Sequence, residues 1–424
     1  MQLRERRNIS QFPASISKLN HGLTVIHQYI PATPVVVADI WVKAGAIAEP
    51  VEWPGMAHFL EHMIFKGSGR IKPGMFDEVI ENLGGMTNAA TSHDYAHFFL
   101  TTAGKYLSET LPYLAEILLQ AKIPDEEFYR ERDVVLEEIR YSYDDPDWVG
   151  FQVLCESLYQ YHPYGRSVLG DEENLLKYTP NQMRCFHRTH YQPENMTVVI
   201  VGGVQEEEAL SIVDKSFAHF SVPDECPSLI IEAEPPIIET RRNLLYMPRI
   251  ESSRLIMGWI GPGIDQLEDA VGLDLLSVVL AGGRCSRLVR ELREEKQLVI
   301  NIDSSFSLQR DSSLFTISAI LAREEVETVE KMITDHLERL QSVPITPEEL
   351  ARCQRLLCHD YIFSTETPGQ LAGLYGYYQI IAAQAELSLQ YPKIIQQLTA
   401  KDLKRLANQY LCPEHYAITV MQPC

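Results

Sequence analysis

YTPNQMRCFHRTHYQPENMTVVIV, residues 178–201, recurs in outline as LTAKDLKRLANQYLCPEHYAITVM, residues 398–421. The copies align without a gap: Thr179 meets Thr399, Met183 meets Leu403, Phe186 meets Leu406, and Pro193-Glu194 meets Pro413-Glu414. Each copy predicts an amphipathic helix that starts after a threonine, a proline-bearing turn and a β-branched strand. Further upstream, GLTVIHQYIPATPVVVADIWVKAG (22–45) corresponds loosely to RNLLYMPRIESSRLIMGWIGPG (242–263). Both predict a short strand, a turn and a second strand that ends at glycine. Two matching segments in the same order make an internal repeat. Between the copies lies SVPDECPSLIIEAEPPIIET (221–240), rich in proline and acid and without a helical period, which predicts a linker. The expected organisation is two homologous α+β domains, 1–220 and 241–424, joined end to end through 221–240.

Length supports that division, because 424 residues exceed what one ordinary core holds. Hydrophobic residues make up 45% and charged residues 22%, an ordinary globular composition. The formal net charge of −21 argues against a nucleic-acid partner, since phosphate backbones need compensating Lys and Arg. There is no apolar run of about 18 residues, so no membrane span is expected. The first residues, MQLRERRNISQFPASISKL, carry arginines but no apolar stretch behind them, so no secretory signal is expected. Eight cysteines lie without CxxC spacing, which predicts reduced thiols in a cytoplasm-like compartment.

GMAHFLEHMIFKGS (55–68) carries the chemistry. Helical spacing projects His58, Glu61 and His62 from one face. Two imidazoles four residues apart suit a tetrahedral zinc, and a glutamate beside them suits a base for a water at the metal. The order inverts the commoner HExxH. A match of this kind arises by chance in about 0.05 of chains of this composition, so spacing alone leaves a solvated helix open.

A catalytic zinc needs a third protein ligand. In ERDVVLEEIRYSYDDPD (131–147), about 100° per residue puts Val134, Val135 and Ile139 on an apolar face. Glu131 and Glu138 fall within it and Glu137 toward its edge. An acid facing a core is costly unless it is paired or metal-bound. An isolated glutamate there would sooner snorkel or find an arginine.

HFLEHMIFKGS, ENLGGMTNAATSHDYAHFF (81–99), ERDVVLEEIRYSYDDP and HYQPENMTVVIVGGV (190–204) together resemble the pitrilysin/insulinase family of zinc metallopeptidases. They most resemble its bacterial, mitochondrial-processing-peptidase-like branch, over nearly the whole chain. The resemblance implies two homologous domains, each a mostly antiparallel sheet packed with helices, the second without the zinc motif. It implies one zinc per chain on His58, His62 and Glu138, the last at the family's spacing from His62. It implies Glu61 as the catalytic base, Glu131 as a supporting acid near the metal, and Asn88 and Ala89 as the segment that receives the substrate as an added strand. The implied activity is endopeptidase hydrolysis of oligopeptides or unfolded segments inside a clam-shaped dimer.

One departure stands out. Active members carry an arginine and, seven positions later, a tyrosine that grip the substrate. Here LREEKQLVI keeps Arg293 but has Ile300, which suggests a heterodimer whose homologous sister chain supplies the Arg/Tyr pair. The alternative is that Ile300 lies in the core of its strand. A non-catalytic structural subunit, like the core proteins of the respiratory bc1 complex, is the rival reading, as is a zinc-stabilised binding module. His93, His97, His162, His187 and His190 lack a second ligand at useful spacing and are expected to be structural.

Overall fold

The computed structural model describes residues 6–7, 12–227 and 230–424. Seven strands build the first sheet: β1 (Arg6–Arg7), β2 (Ser15–Lys18), β3 (Thr24–Tyr29), β4 (Val35–Val42), β5 (Met86–Thr91), β6 (Ala96–Ala103) and β7 (Met196–Gly202). Their order is β1-β2-β3-β7-β4-β6-β5. Every neighbouring pair is antiparallel except β3 with β7. The central strands read as near-continuous apolar runs, VVVADIWV and MTVVIVG, because helices cover both of their faces. At the edge, β5 (MTNAAT) alternates between exposed and half-buried residues.

The second sheet repeats the plan with five strands, β8 (Arg241–Met247), β9 (Ser253–Pro262), β10 (Val299–Leu308), β11 (Ser312–Leu321) and β12 (Ala417–Pro423), in the order β10-β11-β9-β12-β8. Only β8 with β12 is parallel. Strand for strand, β8, β12, β9, β11 and β10 take the places of β3, β7, β4, β6 and β5. The repeat visible in the sequence is therefore a repeat of topology. Its paired helices, Pro180–His190 and Ala400–Tyr410, both begin with a capping box, built by Thr179 with Gln182 and by Thr399 with Asp402.

The two compact units are not the continuous halves that the repeat suggests. One comprises 1–140, 166–230 and 364–388; the other comprises 141–165, 231–363 and 389–424. The helix Pro368–Ala382, encoded in the second half, packs on β4 and β7 of the first sheet. The helix Pro146–Leu158, encoded in the first half, packs on β12 and β9 of the second. Gly376 marks how closely the first of these lies, since a Cβ there would sit 2.1 Å from Nε1 of Trp41. The division at 221–240 thus misses an exchange of helices, and the reason is physical. An amphipathic helix advertises an apolar face but not which of two similar sheets it will cover.

Candidate metal centre

The helix Met56–Ile64 is short, apolar but for His58, Glu61 and His62, and buried along most of its length. Its N-terminus has no side-chain cap of its own, and Gly55 enters it at φ 86, a backbone region that glycine tolerates. Glu49 does the capping from a preceding turn. Its Oε2 accepts from Gly55 N at 3.0 Å and its Oε1 accepts from Ala57 N at 2.8 Å. Side-chain oxygens at a helix N-terminus satisfy N–H groups that would otherwise be orphaned. Burial, opposed by those N–H groups and by Arg166, pushes the Glu49 carboxyl up to about 8. Tyr178, which opens the repeat segment, donates to the carbonyl of Pro54 at 2.8 Å and fixes the same turn.

Opposite lies the helix Asp125–Tyr143. It buries Phe128, Glu131, Val135, Leu136 and Ile139. Val134 is 50% exposed, so the expected apolar face is displaced by about one residue toward Phe128 and Leu136. Glu138 is accordingly half-exposed at the border of that face rather than within it.

The three expected ligands converge. One atom each of His58, His62 and Glu138 lie within 4.8 Å of one another. Nε2 of His58 is 3.7 Å from Oε1 of Glu138, and Nε2 of His62 is 3.3 Å from its Oε2. Glu137 points away and pairs with Arg140 at 2.5 Å. Two imidazoles and a carboxylate are the three-protein-ligand donor set of a catalytic zinc. Electrostatics fit a cation as well. Burial lowers His58 to about 4, helped by His62, so it offers a neutral imidazole. Burial would also lower His62, but Glu131 and Glu138 overcome it and raise His62 to about 9. Positive charge at this point is what the two carboxylates call for, and a divalent ion would supply it.

Glu131 stands one step behind. Its Oε1 meets Nδ1 of His62 at 3.1 Å, and its Oε2 meets Nζ of Lys66 at 2.6 Å. It therefore acts on the ligand's far nitrogen, fixing the ring tautomer and orientation. That contact fits the expected supporting acid near the metal, in the role of orienting the His62 ring. Glu61 lies on the same helix face, half-buried, with its Oε2 accepting from the Thr91 hydroxyl at 2.5 Å. Burial raises its carboxyl above the ordinary value, opposed by Thr91 and His62.

Asn88 and Ala89 sit on β5, paired with Phe99 and Phe98 of β6. Since β5 ends the sheet order, its other edge carries no strand among the described residues. Arg293 belongs to the other unit, in a π-helical turn, Val289–Glu295, where it pairs with Glu294 at 2.7 Å. Ile300 is not a core residue. It is 66% exposed, at the register shift between Val299 and Asn301 of edge strand β10. The five histidines expected to be structural find partners: His93 the carbonyl of Arg166, His97 Asp39, His162 Asp311, His187 the carbonyl of Leu118, and His190 Cys226.

Sequence reasoning missed Glu49, Lys66 and Thr91. Thr91 lies two residues beyond Ala89 in the stretch 81–99, but only the pairing of β5 with β6 shows which way it faces.

Residues 24–172 match the family model described as Insulinase (Peptidase family M16), and residues 177–357 match Peptidase M16 inactive domain. The chain is 29% identical over 410 residues to the zinc protease PqqE of Helicobacter pylori, covering 96% of this chain and 92% of that one. It is 26% identical over 406 residues to the uncharacterized zinc protease YmxG of Bacillus subtilis, covering 95% and 97%. Among solved structures, a protease from Helicobacter pylori superposes with a TM-score of 0.90 at 28% identity, covering 97% of this chain and 99% of that one. A peptidase M16 inactive domain from Pseudomonas fluorescens, at 22% identity and a TM-score of 0.87 over 97% of this chain and 99% of that one, shares the fold.

Proposed function

Because the chain belongs to the insulinase family, peptidase family M16, we propose that it is a zinc-dependent endopeptidase acting on oligopeptides or unfolded segments. The observation that carries this reading is the meeting of His58, His62 and Glu138 within 4.8 Å, with Glu61 on the same helix face. The description of 177–357 as an inactive domain suits a second half without a metal motif and does not touch the first.

His58, His62 and Glu138 would hold one zinc, which supplies a Lewis acid for the scissile carbonyl and lowers the pKa of a nearby water. Glu61 takes the proton from the attacking water and passes it to the departing amine. Its elevated carboxyl suits both roles, since a base closer to neutrality also returns the proton readily. Glu131, itself paired with Lys66, holds the His62 ring. Asn88 and Ala89 line the open edge of β5, where an extended peptide would add by main-chain hydrogen bonds and be read with little sequence preference.

The exposure of Ile300 favours a partner. An apolar side chain on an edge strand, in the place of a substrate-gripping tyrosine, suits a dimer, and specifically a heterodimer whose homologous chain brings the Arg/Tyr pair. Arg293 is the remaining substrate contact on this chain. All eight cysteines are free thiols, and no helix among the described residues is long and apolar enough to cross a membrane. The free thiols favour a reducing, cytoplasmic setting.

The test is metal analysis of the purified chain together with hydrolysis of a quenched peptide library. Stoichiometric zinc with turnover supports the peptidase. Zinc without turnover on any peptide, with or without a homologous partner, favours a non-catalytic subunit.

A further inference from the structure

Thr91 is the last residue of β5, the open edge of the first sheet. Its partner across the ladder is Ala96 of β6, and its hydroxyl donates to Oε2 of Glu61. A glutamate carboxylate hangs on three rotatable bonds, and holding it in one place costs side-chain entropy. A threonine in a strand is the opposite kind of group, stiff at χ1 and fixed by the ladder. The contact therefore transfers the position of β5 to the carboxylate of Glu61. Chemically it also divides the labour between the two oxygens. Oε2 is occupied by the hydroxyl proton, which leaves Oε1 to accept the proton of a water and return it to the leaving amine. The threonine proton stays on its oxygen throughout.

We propose that Thr91 is a positioning residue that aims Glu61 and makes that aim depend on β5, so that a peptide added along the β5 edge sets the base that cleaves it. Asn88 and Ala89 stand three and two residues before Thr91 on the same strand. A peptide hydrogen-bonded there pairs the strand's free edge and removes motion that Thr91 would otherwise hand to Glu61. Binding energy along the strand is thereby converted into rate, the use of remote contacts that raises kcat rather than lowering KM. This inference rests on the peptidase reading, and the experiment separates the two.

Full-length wild type, Glu61→Gln, Thr91→Val and Thr91→Ser, each zinc-loaded and combined with a homologous partner if activity requires one, would be compared for zinc content, melting temperature, and kcat and KM. The substrates are quenched peptides lengthened from about four to about ten residues, long enough to span β5 at one edge-strand residue each. Thr91→Val is expected to keep its zinc and fold, hold KM within about twofold, and lose about 10- to 100-fold in kcat, the range of a charge-assisted hydrogen bond. Thr91→Ser, which keeps the hydroxyl, should recover most of that loss. In wild type kcat should climb with peptide length, and in Thr91→Val it should stay flat. Unchanged kcat in Thr91→Val, a serine variant as damaged as the valine one, or an intact length dependence in Thr91→Val overturns the proposal while leaving the peptidase standing. A wild type inert on every peptide, or no more active than Glu61→Gln, overturns both.

Discussion

Oε1 of Glu131 lies 3.1 Å from Nδ1 of His62, on the ring nitrogen that the candidate ligand set leaves free. Lys66 holds the other oxygen of the same carboxylate at 2.6 Å. Replacing Glu131 by Ala should therefore weaken zinc binding about 10- to 100-fold, as loss of an outer partner of a metal histidine does. Competition against a chelator of known affinity measures it. Lys66→Met should show a smaller loss in the same direction, and wild-type affinity in Glu131→Ala would remove its orienting role.

Glu138 and Glu137 are neighbours with opposite fates. One faces both histidines and the other pairs with Arg140 in solvent. Glu138→Gln should lower zinc occupancy sharply, because an amide is a far poorer ligand than a carboxylate, and Glu137→Gln should leave it near wild type. Metal content per chain by elemental analysis decides the matter. Stoichiometric zinc in Glu138→Gln would defeat the ligand assignment.

Glu61→Gln separates ligand from base. The amide preserves size and can still meet Thr91, but it cannot carry a proton, so zinc should remain while turnover falls by about 10²- to 10⁴-fold. Near-normal turnover in this variant would be incompatible with the proposed proton path.

Glu49 gives a pH signature. Its folded-state carboxyl is raised to about 8, above its unfolded value of 4.5, so its stabilising contribution is complete below 4.5 and is lost as pH climbs through about 8. Glu49→Gln cannot ionise. The stability gap between wild type and Glu49→Gln should therefore be widest near pH 5 and narrow toward pH 8.5. Denaturant melts of both proteins across that interval test it, and a gap that widens with pH would assign Glu49 the opposite sign.

Activity of the isolated chain examines the partner. If Ile300 leaves the substrate grip incomplete, the chain alone should turn over slowly, and either Ile300→Tyr or an added homologous chain should raise the rate. Full activity from the lone wild-type chain, unaffected by either change, would exclude the heterodimer requirement.

The candidate ligands were legible in the sequence because their geometry is local or periodic. His58 and His62 share a helix face by spacing, and Glu138 follows once the family's interval is added. The repeat was legible for a similar reason, since Thr179 and Thr399 open helices with the same capping chemistry. What escaped were relationships created by chain return. Glu49 reaches a helix it precedes by a turn, Lys66 meets a carboxylate 65 positions away, and Thr91 touches Glu61 from another element. No periodicity encodes such contacts. The seven residues Val289–Glu295 show a different failure: VRELREE has an ordinary helical pattern, yet it winds as a π-turn.

The exchange of helices between the two halves of the sequence bears on how the polypeptide is made. The first sheet is complete in sequence at Gly202, but the helix that covers β4 and β7 ends only at Ala382, some 180 residues later in synthesis. At typical elongation rates of about 5–20 residues per second, the nascent chain would carry a bare apolar sheet surface for about 10–40 seconds. Such a surface, on an unfinished protein still tethered to its ribosome, is an obvious place for a chaperone to bind.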